Sequence, residues 1–146
     1  GDPDAFRLPH PKVEGSAYDF SFSGLKTAVI NTLHNAQQKG TDVALPDLAA
    51  SFQKTAVDML SGNLLRAAED TGEHTIVLAG GVSANSGLRR EMQARCAARD
   101  LRLFYPPLEL CGDNAAMVGA QAYYEFLAGH TAGTDLNACA TMPIEG

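Results

Sequence analysis

The sequence predicts an α/β protein, helix-rich with a small, mostly parallel sheet. Two observations predict it. Two short runs of apolar and β-branched residues, Thr75–Ala79 and Leu101–Tyr105, read as strands. Segments with apolar residues at helical spacing flank them, and one lies between them. Strands joined through a helix pair in parallel, by a right-handed crossover.

Residues 1–20 carry Pro3, Pro9, Pro11 and Gly15 and read as a loop or linker, cut off from an upstream part. The start at Gly1-Asp2-Pro3-Asp4 has no Met and no signal-peptide pattern, and reads as trimmed, tagged or excised. A helix is predicted over Ser23–Gln38, with Leu25, Val29, Leu33 and Ala36 on its buried face and Lys39-Gly40 as its stop. Ser21 or Ser23 can cap it. A second helix is predicted over Pro46–Asp70. Proline suits its first turn, Asp47 suits the positive end of the helix dipole, and Gly72 stops it. Its buried stripe is predicted as Leu48, Phe52, Ala56, Met59, Leu60 and Leu64.

Thr75–Ala79 reads as a strand buried on both faces, closed by Gly80-Gly81. Asn85 or Ser86 then caps a helix that buries Leu88, Met92 and Cys96. The second strand stops at Pro106-Pro107. A last helix starts at Asp113 as N-cap and ends at Ala128-Gly129, with Ala115, Gly119 and Ala122 making a face suited to close packing.

The 146 residues suffice for one domain or for one lobe of a larger protein. Two strands make a poor sheet, which favours the lobe. No apolar run approaches a membrane span. Eleven Lys+Arg against seventeen Asp+Glu give a net charge of −6, so nucleic acid is not held here by bulk electrostatics. The basic cluster of Arg89, Arg90, Arg95, Arg99 and Arg102 reads as a solvated helix face. Cys96, Cys111 and Cys139, odd in number and without CxxC spacing, fit a reducing cytoplasm and argue against a disulfide framework or a structural zinc site.

Three segments are candidates for chemistry. Gly80-Gly81-Val82-Ser83-Ala84-Asn85 follows a strand and opens a helix, where glycines let backbone approach a ligand and the helix N-terminus favours an anion. It equally reads as a plain tight turn. It is neither a P-loop nor a nucleophile elbow. Asp113 in Cys111-Gly112-Asp113-Asn114 is either a hard oxygen ligand or a helix cap. Tyr18-Asp19-Phe20-Ser21-Phe22-Ser23-Gly24-Leu25-Lys26-Thr27 alternates aromatic and hydroxyl residues that line a cleft or form a hydrophobic staple. The four histidines stand singly, without HExxH or His-x₃-His spacing, and His130 is placed to serve a helix dipole.

Taken in order, Ser21-Phe22-Ser23-Gly24-Leu25-Lys26-Thr27, Gly80-Gly81-Val82-Ser83-Ala84-Asn85 and Asp113-Asn114-Ala115-Ala116-Met117 resemble the tRNA N6-adenosine threonylcarbamoyltransferase family (TsaD, formerly classed as an O-sialoglycoprotein endopeptidase). The resemblance runs from about Phe6 to Gly129. It implies one lobe of an actin-like ATPase fold, with residues 21–146 as the C-terminal lobe. By that analogy Gly80, Gly81, Ser83 and Asn85 bind ATP or a threonylcarbamoyl-adenylate. Asp113 becomes one ligand of a divalent metal, iron or zinc, alongside two histidines of an His-x₃-His motif that this sequence lacks. The implied reaction moves a threonylcarbamoyl group to N6 of the adenosine beside the tRNA anticodon, in the cytoplasm, with a missing N-terminal lobe, a paralogous subunit and an ATPase partner. The implied enzyme is incomplete in this chain. The rivals are a carbamoyltransferase of the hydrogenase-maturation type and a non-enzymatic nucleotide-binding or interaction lobe. Peptide hydrolysis has no support, since neither HExxH nor an activated nucleophile is present.

Overall fold

The computed structural model describes residues 1–141. It divides into two compact units, Gly1–Cys111 and the part from Gly112 onward. The first unit holds α1 (Ser23–Lys39), α2 (Leu45–Thr71), β1 (Thr75–Val77), a 3₁₀ turn (Gly81–Ala84), α3 (Ser86–Ala97), β2 (Arg102–Phe104) and a second 3₁₀ turn (Leu108–Leu110); the second holds α4 (Ala115–Leu127).

β1 and β2 pair in parallel, with Ile76 opposite Leu103 and Val77 opposite Phe104. Ile76 and Leu78 pack with Val57, Leu65 and Ala68 of α2 and with Leu88, Met92 and Cys96 of α3. The two-sided burial predicted for the first strand is not found, because the helices cover one face only. Val77 and Phe104 stand on the other face, 65% and 55% exposed. The strand is three residues long rather than five, and Ala79 leads into the glycine turn.

The helix ends are set by local chemistry. Gly40 and Gly72 close α1 and α2 in the left-handed conformation, each donating its N–H back to the last turn. No side chain caps α1, whose N-cap position is Phe22, so neither Ser21 nor Ser23 serves as predicted. Ser23 is already helical, and its carbonyl accepts from the Thr27 hydroxyl.

The buried face of α2 is rotated from the predicted stripe. Leu48 and Met59 are buried as predicted, but Phe52 is 41% exposed and Ser51, Thr55 and Ser61 take interior places. These hydroxyls are buried at low cost because Thr55 and Ser61 donate to the carbonyls of Ser51 and Val57, one turn back. On α1, Leu25 is fully buried while Leu33 is exposed.

Residues 1–20 form no helix or strand but lie along α2. Leu8 packs with Leu25 and Met59. The Phe6 N–H donates to Ser51 Oγ at 3.1 Å, and the Tyr18 hydroxyl donates to Asp70 at 2.8 Å. That bond to Asp70 holds the Tyr18 phenol above its ordinary pKa. Gly24 is required sterically, since a Cβ there would stand 2.9 Å from the Pro11 ring.

Candidate functional site

The site grows from the end of β1. The Leu78 N–H still bonds the Phe104 carbonyl at 2.9 Å, then the chain turns at Gly80 with φ 78° and ψ 173°. That region is open essentially to glycine alone. The 3₁₀ turn comes next, closed by the Ser83 N–H on the Gly80 carbonyl and the Asn85 N–H on the Val82 carbonyl, both at 3.0 Å. Asn85, in extended conformation, caps α3 by accepting the Leu88 N–H at 2.9 Å. Between Asn85 and Ser86, the cap is therefore Asn85. Its amide nitrogen makes a long 3.4 Å contact to Gln53 Oε1. The Asn85 oxygen is thus committed to the helix, and the NH₂ is the part free to meet a ligand as a donor.

Space lies beside this turn. A Cβ on Gly80 or Gly81 would meet nothing within 4 Å. A groove of about 540 Å³ is lined by Phe22, Phe52, Gln53, Val82, Asn85 and Leu88. A smaller one of about 230 Å³ runs past Phe20, Val77, Ala79, Val82 and Ser83. Phe20 and Phe22 stack with ring centroids 6.1 Å apart and stay partly exposed. Of the two readings of the Tyr18–Thr27 segment, lining a cleft is the one observed. Two of the three sequence motifs therefore meet at one groove of the first unit.

Ser83 is 2% exposed, and its hydroxyl has no hydrogen-bond partner among the described residues. An orphaned buried hydroxyl costs about 1–3 kcal/mol. An open turn, a helix N-terminus and polar groups with bonding capacity to spare fit an anionic, nucleotide-like ligand.

The arginine cluster is a solvated face only in part: Arg90, Arg99 and Arg102 are exposed, as predicted, whereas Arg89 and Arg95 are half-buried. Arg89 donates to the carbonyls of Ser83 (2.5 Å) and Pro106 (2.7 Å) and contacts Cys111 Sγ at 3.0 Å. Arg95 pairs with Glu91 and Asp58, Arg99 with Glu69, and Arg102 donates to the Thr75 hydroxyl. Apart from the one-turn Glu91–Arg95 pair, these partners lie outside α3, where helical periodicity does not show them. Gln53, Arg89 and Tyr105 are the neighbours of the site that sequence reasoning missed; the only signal was that Arg89 lies four residues past Asn85, one helical turn on.

Asp113 belongs to the second unit and is exposed. It is not the cap of α4. Asn114 takes that place, accepting the Met117 N–H at 2.9 Å, because its extended backbone (φ −150°, ψ 153°) sets its carboxamide three residues before that amide. Among the described residues no three His, Cys, Asp or Glu side chains come together as a metal site. Asp113 offers one hard oxygen donor, which does not hold a divalent ion by itself. His130 bonds Glu125 Oε2 at 2.8 Å and so serves a carboxylate in the last turn rather than the helix dipole alone. The face Ala115-Gly119-Ala122 is exposed, and nothing among the described residues lies within 4 Å of a Cβ on Gly119. The three cysteines are free thiols; burial pushes the Cys96 thiol pKa up.

The strand, glycine turn and capped helix place an open turn of an α/β protein at the carboxyl end of a strand, the position where ligand sites of open α/β sheets lie. The sequence model of the family described as tRNA N6-adenosine threonylcarbamoyltransferase (TsaD) matches residues 1–120. The chain belongs to this family. The enzyme of that name from Moorella thermoacetica is 47% identical over 144 residues, 99% of this chain and 42% of the relative. That from Staphylococcus haemolyticus is 45% identical over 142 residues, 97% of this chain and 42% of the relative. That from Clostridioides difficile is 42% identical over 144 residues, 99% of this chain and 43% of the relative. The chain thus spans about 42% of the length of the curated relatives it matches. Among the described residues no helix is long and apolar enough to cross a membrane.

Proposed function

We propose that the chain is the C-terminal lobe of an actin-like ATPase-fold transferase. It moves the threonylcarbamoyl group of threonylcarbamoyl-adenylate to N6 of the adenosine beside the tRNA anticodon, in the cytoplasm. The observation that carries this reading is the Gly80–Asn85 turn, open above its glycines, in a chain whose named relatives are such transferases.

In this reading Gly80 and Gly81 let the backbone approach the adenylate, and the N-terminus of α3 faces its phosphate. The Asn85 NH₂ donates to the ligand, and the Ser83 hydroxyl gains the partner it lacks. As the adenosine N6 attacks the carbamoyl carbon, the C–N bond forms and the bond to the phosphate oxygen breaks. The proton released from N6 passes to solvent, and adenosine monophosphate leaves with the bonding pair of the broken C–O bond. The charge that develops on the leaving phosphate lies near the α3 N-terminus, where it is stabilised. Holding the acyl donor in a fixed pose supplies much of the rate.

Asp113 would be one carboxylate of a divalent iron or zinc site, which needs donors beyond the described residues. With a net charge of −6, this chain is a poor tRNA holder, and tRNA is held by the N-terminal lobe, a paralogous subunit and an ATPase partner.

The test is transfer by the full-length protein, supplied with the adenylate and tRNA and with its partner subunits present. Gly81→Ala and Asn85→Ala should each lower the rate by about a hundredfold with the melting temperature of Gly81→Ala unchanged. Wild-type rates in both variants would refute the reading.

A further inference from the structure

Arg89 occupies a place that the transfer reaction does not by itself assign. Its Nε–H donates to the Ser83 carbonyl at 2.5 Å, the last part of the glycine turn beyond β1. One terminal nitrogen donates to the Pro106 carbonyl at 2.7 Å and reaches Cys111 Sγ at 3.0 Å, both in the loop beyond β2. The guanidinium lies 4.5 Å from the centroid of the Tyr105 ring. Gln93, one helical turn further along α3, donates its amide to the Tyr105 hydroxyl.

Two parallel strands end side by side, and one side chain bonds the loops that leave both of them. Carbonyl acceptors in a partly buried place bond a guanidinium strongly, and the planar fork satisfies two directions at once. Lysine supplies the charge but cannot hold acceptors in two loops with the same fixed geometry.

We propose that Arg89 is a positioning residue that locks the glycine turn and the Pro106–Cys111 loop into one geometry, and so presets the turn for its ligand. This rests on the reading of Gly80–Asn85 as a nucleotide site. The lock explains how an open turn with no Cβ contacts around its glycines keeps one shape: Asn85 pins its helix end and Arg89 pins its Ser83 carbonyl.

The test uses the full-length protein and adenosine monophosphate as probe, with Arg89→Lys and Cys111→Ala as variants, since Arg89→Ala strips partners from two loops and is liable to unfold. Amide hydrogen exchange is read at residues 81–85 and 108–111 alongside the nucleotide dissociation constant. Arg89→Lys should weaken binding about tenfold or more and speed exchange in both loops together by about the same factor, leaving α2 unchanged. Cys111→Ala should move both readouts in the same direction by a few-fold. Uniformly faster exchange across the first unit would show a merely structural role and overturn the proposal. An Arg89→Lys affinity equal to that of a binding-competent wild type would overturn it too. A wild type that binds no adenosine monophosphate overturns the ligand reading itself, and the positioning role with it.

Discussion

Asn85 and Asn114 start helices in the same way. Each accepts the amide of the third residue on, at 2.9 Å, from an extended backbone. The helices they start differ in burial. The helix behind Asn85 buries Leu88, Met92 and Cys96, whereas the helix behind Asn114 has no buried residue. Met117, Val118, Tyr124 and Phe126 are all more than half exposed. Equal capping with unequal burial shows that a cap selects where a helix begins, while packing supplies its stability. The unit with the core also carries the candidate site, because only a packed framework can hold a turn in a sparsely populated conformation.

The largest contrast is in the cores. Met92→Ala, at a fully buried position, should destabilise the first unit by about 2–5 kcal/mol in urea unfolding, while Phe126→Ala should stay within about 0.5 kcal/mol. A comparable loss in Phe126→Ala would mean that the apolar face of α4 is covered in solution. Next come the paired glycines. Gly80→Ala should cost about 1–3 kcal/mol because its φ of 78° strains any side chain, whereas Gly81→Ala, whose Cβ meets open space, should be nearly neutral in stability. Equal melting temperatures for the two would break that distinction.

The caps themselves come third. Asn85→Ala and Asn114→Ala should each cost about 1 kcal/mol of local helix stability. Amide exchange should show the first loosening the start of α3 and the second loosening Ala115–Leu127. The smallest effect is a titration. The His130 hydrogen bond holds the Glu125 carboxyl below its ordinary 4.5; burial opposes it and the Gln121 hydrogen bond adds to it. A depressed carboxylate contributes stability above pH 4.5 that is lost as pH falls through its folded value. His130→Ala should therefore raise the Glu125 midpoint toward 4.5 in a carboxyl-carbon NMR titration; an unmoved midpoint would deny the pairing.

The parts of the molecule legible in the sequence are those decided locally. Glycine stops at Gly40 and Gly72, the strand positions around Ile76 and Leu103, and the Leu88-Met92-Cys96 face all come from spacing and turn chemistry. The expectations that failed depended on partners far along the chain. Phe52 faces a groove rather than the core because Ser51 and Thr55 satisfy their hydroxyls on the helix itself and on the segment from Asp2 to Phe6. Val77 is exposed because only one face of the sheet is covered, which an apolar run does not reveal. At the site, the glycine turn and Asn85 were legible as a constellation, while Arg89 was hidden because its three acceptors come from positions 83, 106 and 111. Asp113 lost its capping role to its neighbour Asn114, which offers the same chemistry one residue later.

If the turn from Gly80 to Asn85 receives an adenine nucleotide, calorimetric titration of adenosine monophosphate into full-length protein, wild type against Gly81→Ala, reads it most directly. Binding by the wild type, weakened about tenfold or more by a methyl group that leaves the melting temperature unchanged, is the predicted result. Equal affinity in both proteins, or no heat of binding in the wild type, would contradict it.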